Sequence, residues 1–563
     1  MSSFRNRIAT RLRVWRAAPP RGAQGLVWHP EPRAEGSERA GHRMLGGVWH
    51  LAGHLVEGAP DPWAIRPPSV PFALQLHGMG WLDDVMAVGG REATARARGW
   101  TLAWVDRFGR GAGPGWAPAT TGRRLVRMIV HAPALLRGME RPERFRDSLY
   151  RQAQVLAGTW GRAPAGLPRA EALLGLLMAG LALEGMERLG DVATDALART
   201  ADADVGADGG IPSRNPEALL EVAMLLGWAA ASLDSAGRPV PPLLREAVAR
   251  IVPTLRALRH SDGGLARFHG GGAGRAGRLD RVLGESGVRG RPSTGLAMGF
   301  VPVAHGRTTL VVDAEAPPEG AASGSAHAST LAFELCSATT PVVVNCGPGG
   351  PFGPEWHRAG RATASHSTLG LDGHSSSRIG APVAAGPGLR IAPLAEGPET
   401  VQWQRTEGRR ASTLILSHDG WRPTHGLTHL RRLVLSTDGR RLEGEDALRA
   451  VSGPDKERLE DAIAAHGPVR FTVAFHLHPD AEVETGLGGR AATIALPTGE
   501  IWVLRPGGGV PLEIRPSVFL DPGRLRPTPS RQVVLTDSVM SYAATVDWTL
   551  VRTQEPDAAS RRT

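Results

Sequence analysis

Tyrosine is almost missing from this chain, at 2 of 563 residues, against 15 Trp and 11 Phe. Lysine is scarcer still: Lys456 stands alone, and Arg supplies the other 64 of the 65 basic residues. Chemistry that needs a phenol or a lysine amine can draw only on Tyr150, Tyr542 and Lys456. Two cysteines exclude a disulfide-rich scaffold and a cysteine-based zinc ribbon. Cys336 and Cys346 flank a strand–turn–strand, "CSATTPVVVNC", and either pair or remain two buried thiols. No run of 18 apolar residues occurs, so no transmembrane helix is predicted.

What is present is ordinary for a globular protein, with 42% hydrophobic and 21% charged residues. The length implies two large domains, or three. The net charge of +10 comes from scattered arginines with no dense basic block. No nucleic acid partner is expected, whereas acidic polymers, uronate polysaccharides among them, fit the charge. The first residues, "MSSFRNRIATRLRVWRAAPPRG", are basic and weakly amphipathic. They lack the apolar core and cleavage site of a secretory signal, which points to the cytoplasm.

The hydrophobic period divides the chain. From about 75 to 260, apolar residues recur at helical spacing, as in "RAEALLGLLMAGLALEGMERLG" (169–190) and "NPEALLEVAMLLGWAAASLD" (215–234). Short joins carrying Gly or Pro predict antiparallel helix pairs. From about 305 the period becomes two, in short segments such as "TTLVVDA", "TPVVVNC", "RFTVAFHLH" and "ATVDWTL". These predict a large antiparallel sandwich. The reading is a two-domain α+β protein: an extension over 1–74, a helical domain over 75–295 and a sandwich over 296–563.

Several segments occur in a characteristic order: "LHGMGWLDD" (76–84), "DGGIPSRNPEALLE" (208–221), "RHSDGGLARFHGGG" (259–272), "VVVNCG" (342–347), "RATASHSTLGLDGHSS" (361–376) and "FHLHPD" (475–480). Together they resemble the heparinase II/III-like polysaccharide lyases over about 75–550. The resemblance implies an incomplete (α/α) toroid followed by an antiparallel β-sandwich, with substrate between them. It implies β-elimination on a uronic-acid polysaccharide or oligosaccharide, no required cofactor and a place in the cell envelope. Such a reaction needs a group that neutralises the carboxylate, a base for the C5 proton and an acid for the leaving oxygen.

The candidate parts follow. Asn215, in "SRNPEALLE", would hydrogen-bond the carboxylate with Arg214 adding charge; equally, Asn-Pro-Glu before an apolar run is a helix start with Asn as cap. His269, on a Gly-rich loop, is a candidate base, and His260 and Arg267 are its substrate-binding neighbours. His260 also suits a helix C-terminus. In a strand, His366 shares a face with Thr368 and Gly370, opposite Leu369 and Leu371. If the leucines point inward, His366 points out as an acid/base group or carboxylate partner, with Arg361 as a substrate-binding neighbour and His374 nearby. His476 and His478, two apart on a strand, can share a metal. The resemblance implies a structural zinc, with Asp372 or His366 completing the set. Trp81, Trp104, Trp116 and Trp356 are either sugar platforms or core. Arg107 and Arg110 either read anionic sugars or are simply solvated.

The chain departs from the family where a Tyr acid/base is usual. No Tyr lies between Tyr150 and Tyr542, Leu296 of "STGLAM" takes a Tyr place, and Pro216 stands where His usually follows the Asn. Three functions remain open: a lyase using His for Tyr, a non-catalytic polysaccharide-binding protein of the same fold, or another carbohydrate enzyme. A hydrolase needs two carboxylates flanking the bond. Asp83 and Asp84 are adjacent and cannot supply them.

Overall fold

The computed structural model describes residues 2–17, 25–33, 36–289, 295–386 and 389–555. Contacts divide the chain into two units, one of residues 1–206, 221–250 and 384–390, the other of 207–220, 251–383 and 391–563. The units do not end where the period changes, because the segments 207–220 and 251–299 pack with the strands.

The first unit is helical. Its helices include Trp81–Val88, Gly90–Phe108, Pro118–Val130, Pro142–Ala157, Leu167–Ala182 and Glu187–Asp204. The run expected as one helix over 169–190 is two, because Leu183 is extended and Gly185 takes φ 76°. Leu167–Ala182 is apolar nearly all round because it packs on both sides. A Cβ on Gly175 would lie 2.4 Å from Gly122 Cα, and one on Gly180 would lie 2.2 Å from Gly190. Glycine at these crossings lets the backbones touch.

Trp81, Trp104 and Trp116 are buried in this unit. They are core residues rather than sugar platforms. The Trp104 indole donates to His77 Nδ1 at 2.9 Å. Arg107 pairs with Asp61 at the surface. Helix Pro216–Ser235 alone among the described helices has the length and composition of a membrane span. Leu219, Leu220, Ala223, Leu226 and Ala229 on it are buried, as in a core helix.

The second unit is a sandwich of two antiparallel sheets. One runs 401–407, 411–421, 427–436, 441–449, 543–554, 501–506, 491–495, 482–486. The other runs 512–519, 528–539, 469–477, 340–344, 333–337, 308–313, 300–305, with 369–371 also paired to 469–477. Period-two alternation sends Leu414, Leu416, Leu433 and Leu435 of one sheet into a core shared with Phe333, Phe471, Phe475 and Val533 of the other.

A charged network crosses that core. Asp446, fully buried, accepts from Arg431 Nε at 2.7 Å, His429 Nε2 at 2.8 Å and the Trp548 indole at 2.9 Å. Arg431 reaches across with Nη1 to the carbonyls of Leu331 at 2.7 Å and Ser367 at 3.1 Å. His418 accepts the Gly420 N–H on Nδ1, so its proton lies on Nε2, facing His429 Nδ1 at 3.3 Å. Every member is satisfied, as a buried polar network requires.

Candidate functional site

Asn215 starts helix Pro216–Ser235, and its side chain does two jobs. Its Oδ1 accepts the Ala218 N–H at 3.0 Å, the bond of a helix cap. Its Nδ2 donates to the His269 carbonyl at 3.2 Å. The loop can come this close because position 271 is glycine; a Cβ there would sit 2.4 Å from Asn215 Oδ1. Both ends of the amide are engaged by the protein. Asn215→Ala should therefore lower unfolding stability by about 1–2 kcal/mol, read from a urea midpoint. An unchanged midpoint would refute the capping role.

The same loop carries His269 inward. Its φ is 48°, and its ring is fully buried. His327, absent from the sequence-level candidates, lies beside it. The backbone N–H of His327 donates to His269 Nδ1 at 3.2 Å, and its own Nδ1 lies 2.9 Å from His366 Nε2. His366 Nδ1 lies 2.8 Å from the Ala362 carbonyl.

Backbone groups at both ends of this row fix the protons. A carbonyl only accepts, so His366 holds its proton on Nδ1 and offers a lone pair on Nε2. His327 must then donate from Nδ1, which leaves its Nε2 deprotonated. A backbone N–H only donates, so His269 carries its proton on Nε2, 3.5 Å from Asp313 Oδ2. The row thus presents a single basic nitrogen at His327 Nε2, which has no hydrogen-bond partner among the described residues.

Burial keeps all three rings neutral. It pushes His366 down to about 4, against the Ala362 bond that favours its charged form. It takes His327 and His269 well below the usual imidazole range, helped for His327 by His366 and for His269 by Arg214. In the unfolded chain these rings titrate near 6.5. Below about pH 6.5 the unfolded chain therefore binds more protons than the fold, and stability falls with pH. The contribution is complete above that pH and fades as the pH falls, for His366 down to about 4, by at most about 1.4 kcal/mol per ring per pH unit. The urea midpoint should be clearly lower at pH 5 than at pH 7.5; equal midpoints would contradict neutral buried rings.

A buried carboxylate braces the other side of the loop. Glu334 accepts the backbone N–H of Arg267 at 2.9 Å and of Asn345 at 3.0 Å. His260 Nε2 lies 3.5 Å away and the Arg267 guanidinium 3.8 Å. Burial raises the Glu334 pKa, but His260 and Arg267 outweigh it and hold the carboxyl below its usual range. Arg267 also lies over Phe519, 5.4 Å from the ring centre.

Several sequence expectations are corrected. Arg214 is not a substrate ligand: it is buried, and its guanidinium serves the carbonyls of Met298, Gly299, Glu315 and Ala316 and the Asp313 carboxylate. Arg361 is likewise buried, donating to Ala326, Ala392 and Ser323 carbonyls and so holding the segment before His327. Burial lowers its pKa to about 10.

His366 does not point outward from a strand. A 3-10 turn spans Thr363–Ser365, the strand begins only at Leu369, and the His366 ring is fully buried. The expected metal ligands do not converge. His476 bonds Ser517 Oγ at 2.7 Å and the Ala364 carbonyl at 3.1 Å, with Cys346 Sγ at 3.5 Å. His478 follows the strand end and faces Asp480. Asp372 is exposed beside Arg470, six residues back along that strand. Among the described residues no group of three or more His, Cys, Asp or Glu could hold a metal. Cys336 and Cys346 are both free and buried.

Neither tyrosine belongs to this cluster: Tyr150 donates to the Glu184 carbonyl at 2.8 Å in the helical unit, and Tyr542 pairs with Glu460 at the surface. Of the "STGLAM" motif, Ser293 and Thr294 lie outside the described residues.

Residues 288–549 match the family "Heparinase II/III-like, C-terminal". Over 548 residues the chain is 31% identical to the FtsZ-localized protein C of Caulobacter vibrioides (strain NA1000 / CB15N), covering 94% of this chain and 91% of that one. The chain belongs to the heparinase II/III-like family. Solved heparinases share its fold at low identity. A heparinase III structure aligns with TM-score 0.70 at 11% identity, over 95% of this chain and 87% of that one. A mutant of the heparan sulfate lyase HepC from Pedobacter heparinus aligns with TM-score 0.58 at 14% identity, over 99% and 89%. The toroid-plus-sandwich architecture of this heparinase II/III-like chain is thus that of polysaccharide lyases.

Proposed function

We propose that the protein is a polysaccharide lyase acting by β-elimination on a uronate-containing polymer or oligosaccharide, with His327 as the proton acceptor. The supporting observation is the row of neutral imidazoles that leaves His327 Nε2 as its one basic nitrogen. In this reading His366 and His269 position the base, and Arg267, two residues before His269 on the same loop, is the cation for the substrate carboxylate. His327 Nε2 takes the C5 proton, the C5–H electron pair becomes the C4–C5 double bond, and the C4–O4 bond breaks. The departing O4 oxygen takes a proton back from the His327 imidazolium, which returns the ring to its neutral form. The unsaturated product absorbs in the ultraviolet. Incubation with alginate, heparan sulfate, hyaluronan and bacterial uronate polymers tests the reading; no absorbance from any of them would overturn it.

A second reading is favoured by the 31% identical FtsZ-localized relative and by the engagement of Asn215, Arg214 and Arg361 within the protein. In it the chain is a non-catalytic protein of the division site that binds acidic polysaccharide. Co-localisation of a fluorescent fusion with FtsZ, without turnover of any uronate polymer, is its expected signature.

A further inference from the structure

The helical unit carries a groove of about 220 Å³, between the turn Trp160–Arg162, the start of helix Leu167–Ala182 and the end of Glu187–Asp204. Its chemistry differs from that of the imidazole row. Trp160 supplies a half-buried aromatic face. Arg199 is exposed at the rim and has no ion-pair or hydrogen-bond partner among the described residues. Arg169 uses Nε and Nη2 on the Ala163 carbonyl, at 3.3 and 3.0 Å, which leaves Nη1 outside those bonds. Thr200 adds a hydroxyl, and Asp204 is held by the Gly166 N–H on Oδ2 at 2.9 Å.

We propose that this groove is a binding subsite for one anionic sugar residue of an acidic polysaccharide. A pyranose presents an apolar C–H face that packs on an indole, while its carboxylate or sulfate seeks a guanidinium. Two arginines against one aspartate leave the lining net positive, which selects an anionic ring over a neutral one. The Asp204 oxygen not held by Gly166 and the Thr200 hydroxyl are left to meet ring hydroxyls. The volume fits a single sugar, so the groove acts as a subsite that holds a longer chain at one residue. This inference rests on the acidic-polysaccharide reading above but not on turnover.

Calorimetric titration with an alginate tetrasaccharide, a heparan sulfate tetrasaccharide and neutral maltotetraose tests it on the full chain. The wild type and His327→Ala should bind at least one acidic probe and not maltotetraose. Trp160→Ala and Arg199→Glu should each weaken that binding about tenfold or more while leaving the thermal midpoint unchanged. Acidic-probe affinity equal to wild type in both variants would overturn the subsite and leave the lyase reading standing. Binding retained without any unsaturated product would overturn the lyase reading and leave the subsite standing. A wild type that binds neither acidic probe at millimolar concentration overturns the subsite.

Discussion

His327→Ala should lower the rate of uronate elimination by about 10²–10⁴-fold, the usual contribution of a positioned general base. The effect should fall on kcat, because His327 Nε2 is proposed to act on the C5 proton and not to bind the sugar. The expectation follows from the direction of the hydrogen bonds. The Ala362 carbonyl fixes the His366 proton, which fixes the His327 proton, which frees Nε2. His366→Ala is a weaker and different lesion. It removes the acceptor that sets the His327 tautomer, so the rate loss should be partial and accompanied by a changed pH profile. His327→Ala with a near-normal rate would remove it as the base.

Asp446→Ala should lower unfolding stability by about 3–5 kcal/mol, the cost of leaving a buried charge without its partner. Arg431 is the charge in question, fully enclosed and held by both carboxylate oxygens. The variant also strands the His429 and Trp548 N–H groups that point at the same carboxylate. Asp446→Asn keeps the shape but not the charge, and should still cost more than a surface change. Chemical denaturation measures both, and a loss below about 1 kcal/mol in Asp446→Ala would show that the network does not depend on its charge. Burial alone would raise the Asp446 pKa, but Arg431 and His429 hold it far below the carboxylate range. A depressed carboxylate stabilises the fold above its unfolded pKa near 3.9 and loses that contribution below it. Acid therefore attacks the protein twice, through the imidazoles below about pH 6.5 and through Asp446 below about 4.

The sandwich was legible because alternation is a local signal. Each of "TTLVVDA", "TPVVVNC" and "RFTVAFHLH" forms a strand, Thr308–Asp313, Thr340–Val344 and Val469–Leu477. Strands with more polar faces, such as Val401–Glu407 and Arg441–Arg449, gave no such pattern. At the site, Asn215 as a cap was legible because capping depends on residues within one turn. Alternation alone would aim His366 outward, but the turn before Leu369 breaks that alternation and the ring is buried. The two arginines look like substrate ligands in sequence, and only the fold reveals how many carbonyls they serve. His327 is not legible in sequence because "GAASGSAHAST" has no period to read, and a single ring among small residues carries no signal of its role.

The reach of Arg431 to the Ser367 carbonyl ties the far sheet to the residue next to His366. A chain of hydrogen bonds therefore leads from the charge pair on the opposite sheet to the residue beside the imidazole row. Substitutions at Asp446, His429 or Trp548 touch nothing in the row, yet through Arg431 they act on the Ser367 carbonyl, one residue from His366. In a screen for function these core positions would score with the histidines themselves, and paired substitutions across the two sheets would combine non-additively.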